Sequence, residues 1–120
     1  MATKERTRIA FPSSALPNGS RKLITANRRE IAVFNSHGSL YAVYNRCPHH
    51  RAPLIAGSIG GANLPSPVGT LRRGLEGCVL FCPWHHYEFN LESGRCIGDP
   101  RLRVATYEVR REGGEIAVYA

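Results

Sequence analysis

Apolar residues along this chain come in short runs and alternations, and no stretch keeps a helical period over three turns. The runs predict strands at Ile9–Phe11, Leu23–Thr25, Glu30–Asn35 (EIAVFN), Leu40–Tyr44 (LYAVY), Cys78–Phe81 (CVLF) and Ile116–Tyr119. From Leu102 to Arg110 apolar and polar positions alternate, the pattern of a half-buried strand. Ser36-His37-Gly38 predicts a hairpin turn, and Gly113-Gly114 another. Pro12 and Pro17 flank Ser13-Ser14 in a Pro-broken turn. Residues 51–77 hold Pro53, Pro65, Pro67 and six glycines with few apolar runs, which predicts a long irregular connection. The pattern is that of an all-β protein of antiparallel sheets, without an internal repeat or a low-complexity tract.

A length of 120 residues with 42% hydrophobic content predicts one folded domain with a real core and argues against disorder. No apolar run approaches the roughly 18 residues that span a bilayer. The stretch Met1–Pro12 is charged and lacks the apolar centre of a signal peptide, so a cytoplasmic, reducing setting without a membrane is expected. There the cysteines are expected as metal ligands or plain thiols rather than disulfides. The net charge of +7 comes mostly from arginine, scattered as pairs such as Arg28-Arg29, Arg72-Arg73 and Arg110-Arg111. No basic tract or nucleic-acid motif accompanies it, so no nucleic acid is expected as a partner; an acidic protein or a solvated surface fits better.

The chemistry lies in the histidines. Four of the five form two pairs, each just after a cysteine: Cys47-Pro48-His49-His50 and Cys82-Pro83-Trp84-His85-His86. A thiolate and an imidazole two or three residues apart can grip one metal centre from a single turn, and two such loops supply four ligands. A Cys2His2 set fits a closed zinc site, and it also fits a two-iron cluster in which two Cys hold one iron and two His the other. Common zinc fingers pair Cys with Cys and His with His. One of each per loop suits the two-iron arrangement better.

The loops carry a resemblance to a known family. Cys47-Pro48-His49-His50-Arg51-Ala52-Pro53-Leu54 resembles the first cluster loop of Rieske proteins. The second resembles Cys82-Pro83-Trp84-His85-His86-Tyr87-Glu88-Phe89-Asn90-Leu91-Glu92-Ser93-Gly94, and Asp99-Pro100 resembles the Pro-containing loop that covers the cluster. The resemblance covers about residues 22–119. It implies one [2Fe-2S] cluster per chain, held by Cys47, His49, Cys82 and His85. It also implies a Rieske-like antiparallel β-sandwich with an inserted cluster-binding subdomain. Residues 1–120 then make a single domain, with a base at about 1–45 and 101–120 and the subdomain at about 46–100. The implied role is a one-electron carrier between a flavoprotein reductase and a terminal oxygenase, without catalytic residues of its own. Other readings are a small Rieske subunit of a stable complex, such as one resembling nitrite reductase, and a structural zinc module.

The chain also departs from the pattern. Gly is common in ring-oxygenase-type loops near the positions of Arg51 and His86. The link from His50 to Phe81 is 32 residues, longer than usual, so 55–76 reads as an insertion in a surface loop. His50 and His86 lie one step past the motif and are expected as loop or packing residues. Cys78 is expected as a small buried apolar residue, Cys96 as structural and Trp84 as a packing residue.

The resemblance also bears on the potential. Two neutral imidazoles in place of thiolates set Rieske potentials between about −150 and +300 mV. Relatives from respiratory complexes add a disulfide between the loops, and Ser and Tyr hydroxyls just after the second His. Here those positions are Ala52, Trp84, Tyr87 and Phe89. The bridge cannot form and the Phe89 hydroxyl is missing, so fewer donors stabilise the reduced form. The midpoint is expected at the low end; a redox titration giving more than about +100 mV would contradict this.

Overall fold

The computed structural model describes residues 6–48, 51–64, 72–83, 87–97, 99 and 101–120. Nine strands occur among them: β1 (Arg8–Pro12), β2 (Arg21–Ala26), β3 (Arg29–Ser36), β4 (Ser39–Tyr44), β5 (Ser58–Leu64), β6 (Arg72–Phe81), β7 (Glu88–Asn90), β8 (Thr106–Glu112) and β9 (Glu115–Tyr119). Six form one antiparallel sheet in the order β1-β9-β8-β4-β3-β2, and three form a second, β5-β6-β7. In sequence the second sheet falls between β4 and β8.

Three hairpins of the first sheet turn on two residues with both φ positive: Asn27-Arg28 (51°, 65°), His37-Gly38 (52°, 85°) and Gly113-Gly114 (54°, 84°). That is the twist-matched geometry for a two-residue β-turn. The last two are the turns that the sequence predicts. The first has no sequence signal, because Arg seldom takes a left-handed conformation.

The β3 strand is buried on both faces. Ile31 and Val33 enter a core with Phe11, Leu16, Ile24, Ala42, Ile116 and Val118. Ala32 and Phe34 enter the other core, with Val43, Cys47, Leu54, Leu80, Cys82, Phe89 and Val104. Because β1 and β2, the two edges of the sheet, both feed the first core, the sheet curls around it. Cross-strand pairing keeps the faces in step: Ala32 opposes Val43 and Phe34 opposes Tyr41 on one face, while Val33 opposes Ala42 on the other.

Two polar clamps tie the second core to the first sheet. The Arg21 guanidinium donates to the carbonyls of Ile55 (2.8 Å) and Gly57 and lies 5.1 Å from the Phe34 ring centre. Burial pushes its pKa down, yet an arginine stays charged in proteins. Asn45, 2% exposed, accepts a hydrogen bond from the Ile55 N–H (2.7 Å) on its Oδ1.

Two expectations need correction. Residues 51–77 are not an irregular connection: β5 and β6 pair from Ser58↔Phe81 to Leu64↔Arg72, with a bulge between Gly60 and Ala62. The 55–76 stretch is therefore largely a long hairpin, with 65–71 outside the described residues. Its backbone ladder forms without the apolar alternation that betrays a strand, and glycine permits the bulge. The alternating stretch from Leu102 enters β8 only at Thr106. Before that, the Cys96 N–H donates to the Leu102 carbonyl (3.0 Å) and the Val104 N–H to that of Gly94 (2.8 Å). This strip serves the second core, which buries Val104 and packs against Leu102.

Two substitutions test this layout by urea unfolding. Asn45→Ala leaves the Ile55 N–H without its acceptor and should cost about 2 kcal/mol. Gly94 has φ +78°, and a Cβ there would strike the Val104 carbonyl. Gly94→Ala should therefore cost about 3 kcal/mol, and a wild-type midpoint would refute the contact.

Candidate metal centre

Two loops leave the two sheets with the same closure. After β4 the chain reaches Cys47, whose N–H donates to the Ala52 carbonyl (2.9 Å); after β6 it reaches Cys82, whose N–H donates to the Tyr87 carbonyl (2.8 Å). Each cysteine thus ties its own loop shut across five residues. In the first loop the Arg51 N–H also returns to the Cys47 carbonyl (2.7 Å). Arg51 has φ +59°, so the backbone makes the turn that glycine makes in similar loops, at a strain of about 1 kcal/mol.

Cys47 (1% exposed) and Cys82 (0%) share one apolar core with Ala52, Leu54, Leu80, Phe89, Leu91, Cys96 and Val104. Among the described residues no group of three His, Cys, Asp or Glu side chains is placed to hold a metal. His49 and His85, the two further predicted ligands, lie outside the described residues, as do His50, His86, Trp84 and Pro100. The buried thiols bracket the two loops on which those histidines follow. Two soft sulfur donors buried in one apolar core suit an iron–sulfur group, so the residues present fit it. Phe89 is fully buried and Ala52 equally so, which places a ring without a hydroxyl, and a methyl, at two of the four positions noted above.

The segment 95–97 supports the pocket. Phe89 and Cys96 form a bridge, and the Ile97 N–H donates to the Glu88 carbonyl (2.7 Å). Cys96 is 2% exposed within the core, the structural place expected of it. The Cys78 side chain lies outside the described part. Sequence reasoning did not find Asn45 or Arg21, which hold the segment after the first loop; a lone Asn and a lone Arg carry no motif. Nor did it find β7, whose three residues are too few to show a period.

Beside the first loop is a cleft of about 330 Å³ between Cys47-Pro48, Arg51 and the 103–105 strip, with Tyr44 and Arg46 on its walls. Arg46 is paired with Glu30 at 2.8 Å. Arg51 and Arg103 are exposed and have no acidic partner among the described residues.

Among known proteins, the 4beta-methylsterol monooxygenase of Methylococcus capsulatus is 35% identical over 92 residues, 76% of this chain and 23% of its own length. The chain thus spans less than a quarter of that relative. The methanesulfonate monooxygenase ferredoxin subunit of Methylosulfonomonas methylovora is 26% identical over 113 residues, 94% of this chain and 79% of its own length. A small subunit of NADH-dependent nitrite reductase from Mycobacterium tuberculosis has the same fold, with a TM-score of 0.76 at 23% identity over 98% of this chain and 97% of its own. A family model for the Rieske [2Fe-2S] domain matches residues 7–108. With its paired cysteine loops closing on one buried core, the chain belongs to the Rieske [2Fe-2S] domain family.

Proposed function

We propose that this chain is a one-electron carrier that takes electrons from a flavoprotein reductase and delivers them to a terminal oxygenase. In this reading Cys47 and Cys82 hold one iron of the [2Fe-2S] cluster, and His49 and His85 hold the other. The observation that carries it is the burial of both thiols in one core, at the mouths of two loops closed by the same hydrogen bond. Bound there, the cluster supplies reversible one-electron uptake.

The chain's own residues do the rest. Leu54, Leu80, Phe89 and Val104 keep water from the thiols, and the low local dielectric strengthens each hydrogen bond made there. The Asn45 clamp on Ile55 and the Arg21 clamp on Ile55 and Gly57 fix the chain that returns from the first loop. A site held this way needs little rearrangement when its charge changes. Residues of about 46–100 make up the cluster-carrying unit, inserted into a base of about 1–45 and 101–120. The likeness to a ferredoxin subunit along most of its length supports a carrier rather than an oxygenase with its own catalytic domain. No helix among the described residues is long and apolar enough to cross a membrane. We place the carrier in the cytoplasm, whose reducing conditions keep cysteines as thiols.

The test is visible absorption of the iron-loaded protein and its variants. His49→Ala and His85→Ala should each abolish the native cluster spectrum, because no neighbour replaces the lost ligand in the right geometry. His50→Ala and His86→Ala should leave it in place. Bleaching by His50→Ala but not by His49→Ala would move the first-loop ligand by one residue. A colourless protein that purifies with zinc would overturn the reading altogether.

A further inference from the structure

We infer that the arginine-edged cleft beside Cys47 is a docking site for a carboxylate-bearing surface of the protein that exchanges electrons with this chain. The inference rests on the carrier reading and adds the place and the chemistry of contact.

Three guanidinium groups around one concavity beside a cysteine loop single the cleft out. Along β1, β8 and the Asp99 turn arginines are matched: Arg6 pairs with Glu108 (2.7 Å), Arg8 with Glu112 (2.9 Å), Arg101 with Asp99 (3.0 Å) and Arg110 with Glu108. Lys22, Arg28, Arg29, Arg95 and Arg111 also lack an acidic partner among the described residues, but none of them lines that cleft. At the cleft, Arg51 and Arg103 are exposed without an acidic partner among the described residues. Arg46 adds a third guanidinium, still 39% exposed beside Glu30.

Two of these arginines are kept where folding alone would favour something else. Arg103 faces Arg95 across an antiparallel bridge. The flanking bonds, Cys96 N–H to the Leu102 carbonyl and Val104 N–H to the Gly94 carbonyl, make this the non-hydrogen-bonded type of pair. In that type opposed side chains lie closest, and like charges repel. Arg51 takes a left-handed φ of +59° that a glycine would adopt without strain. Guanidinium forks that have no acidic partner among the described residues and ring a concavity match a carboxylate in shape and charge. The cleft wall includes Cys47, so an acidic side chain seated there brings its protein against a loop that carries a proposed cluster ligand.

Phosphate chemistry could fill the same forks, and the experiment separates the sources. Cluster-loaded wild type, the Arg51→Gln/Arg103→Gln pair and the Arg110→Gln/Arg111→Gln pair are compared. The second pair removes the same formal charge at the far end of β8, about 20 Å along the strand from Ala105. The probes are a reduced acidic flavodoxin in stopped flow, hexaglutamate peptide by calorimetry, duplex DNA, and vesicles containing phosphatidylserine. Reduction of wild type should slow about tenfold between about 25 and 250 mM salt, since screening shortens the reach of surface charge. At low salt the cleft pair should reduce about fivefold more slowly than wild type, and the far pair less than about twofold. Hexaglutamate binding should weaken in the cleft pair alone, with visible spectra and midpoints unchanged. Equal losses in both pairs, or rates indifferent to salt, would overturn the inference. So would tighter binding of DNA or vesicles than of hexaglutamate, lost in the cleft pair. If the wild type forms no Rieske cluster, the carrier reading fails on the spectrum, while the hexaglutamate titration still decides whether the cleft takes carboxylates.

Discussion

The structure depends on one strand having two inner faces. A strand at the surface of an antiparallel sheet can alternate between core and water, but β3 alternates between two cores. Its run from Ile31 to Phe34 is fully buried. A slip of one residue would exchange Ile31 and Val33 with Ala32 and Phe34, putting large side chains where small ones fit on both sides at once. Register is therefore fixed more firmly than in a one-faced strand. The consequence reaches the cysteines: the wall against which Cys47 and Cys82 pack is the reverse side of the wall that closes the base core. The candidate metal pocket is thus built on a surface that cannot move without disturbing both cores.

On that wall the two loops close alike. Each is closed by one backbone hydrogen bond from its cysteine, and the Pro after each cysteine limits the conformations available to the unfolded loop. Further support comes from outside the loops. Asn45 and Arg21 reach from the first sheet to the carbonyls and N–H groups of residues 55–57, satisfying backbone polar groups that a buried loop would otherwise leave unpaired. Among the described residues of these two turns, Arg51 is the one with a left-handed φ.

What the sequence makes legible follows from which signals are local. The strands around His37-Gly38 and Gly113-Gly114 are plain because turn chemistry and apolar alternation agree there. The cysteine–histidine spacing is equally local and leads to the family directly. The β5–β6 hairpin is not legible, since its glycines and polar residues carry no period and its pairing is visible only as backbone hydrogen bonds between distant residues. The clamps are hidden for the same reason. Asn45 lies ten residues from Ile55 and Arg21 lies 34 from it, and neither distance follows from composition. The boundary before Thr106 was also obscured, because the strip at 102–104 alternates as a strand would while pairing with 94–96 through a single bridge.

Charge is divided in a way that composition alone conceals. Hydrogen bonds from Arg110 and Arg6 hold the Glu108 carboxyl below the usual range, and those from Tyr119 and Arg8 do the same for Glu112. Both carboxylates are exposed, so these contacts add little to stability in water. Their effect is on where charge is left over. The acids of β8 and β9 neutralise Arg6, Arg8 and Arg110, and Asp99 is engaged by Arg101. A net charge of +7 spread evenly would give a diffuse field. With these acids committed along β8, β9 and the Asp99 turn, part of the surplus falls on Arg51 and Arg103, beside the first cysteine loop. A short-range field is useful only near the point of contact, since salt screens it within about 10 Å. The arrangement puts unmatched positive charge within that reach of the Cys47 loop, and there it can orient a partner.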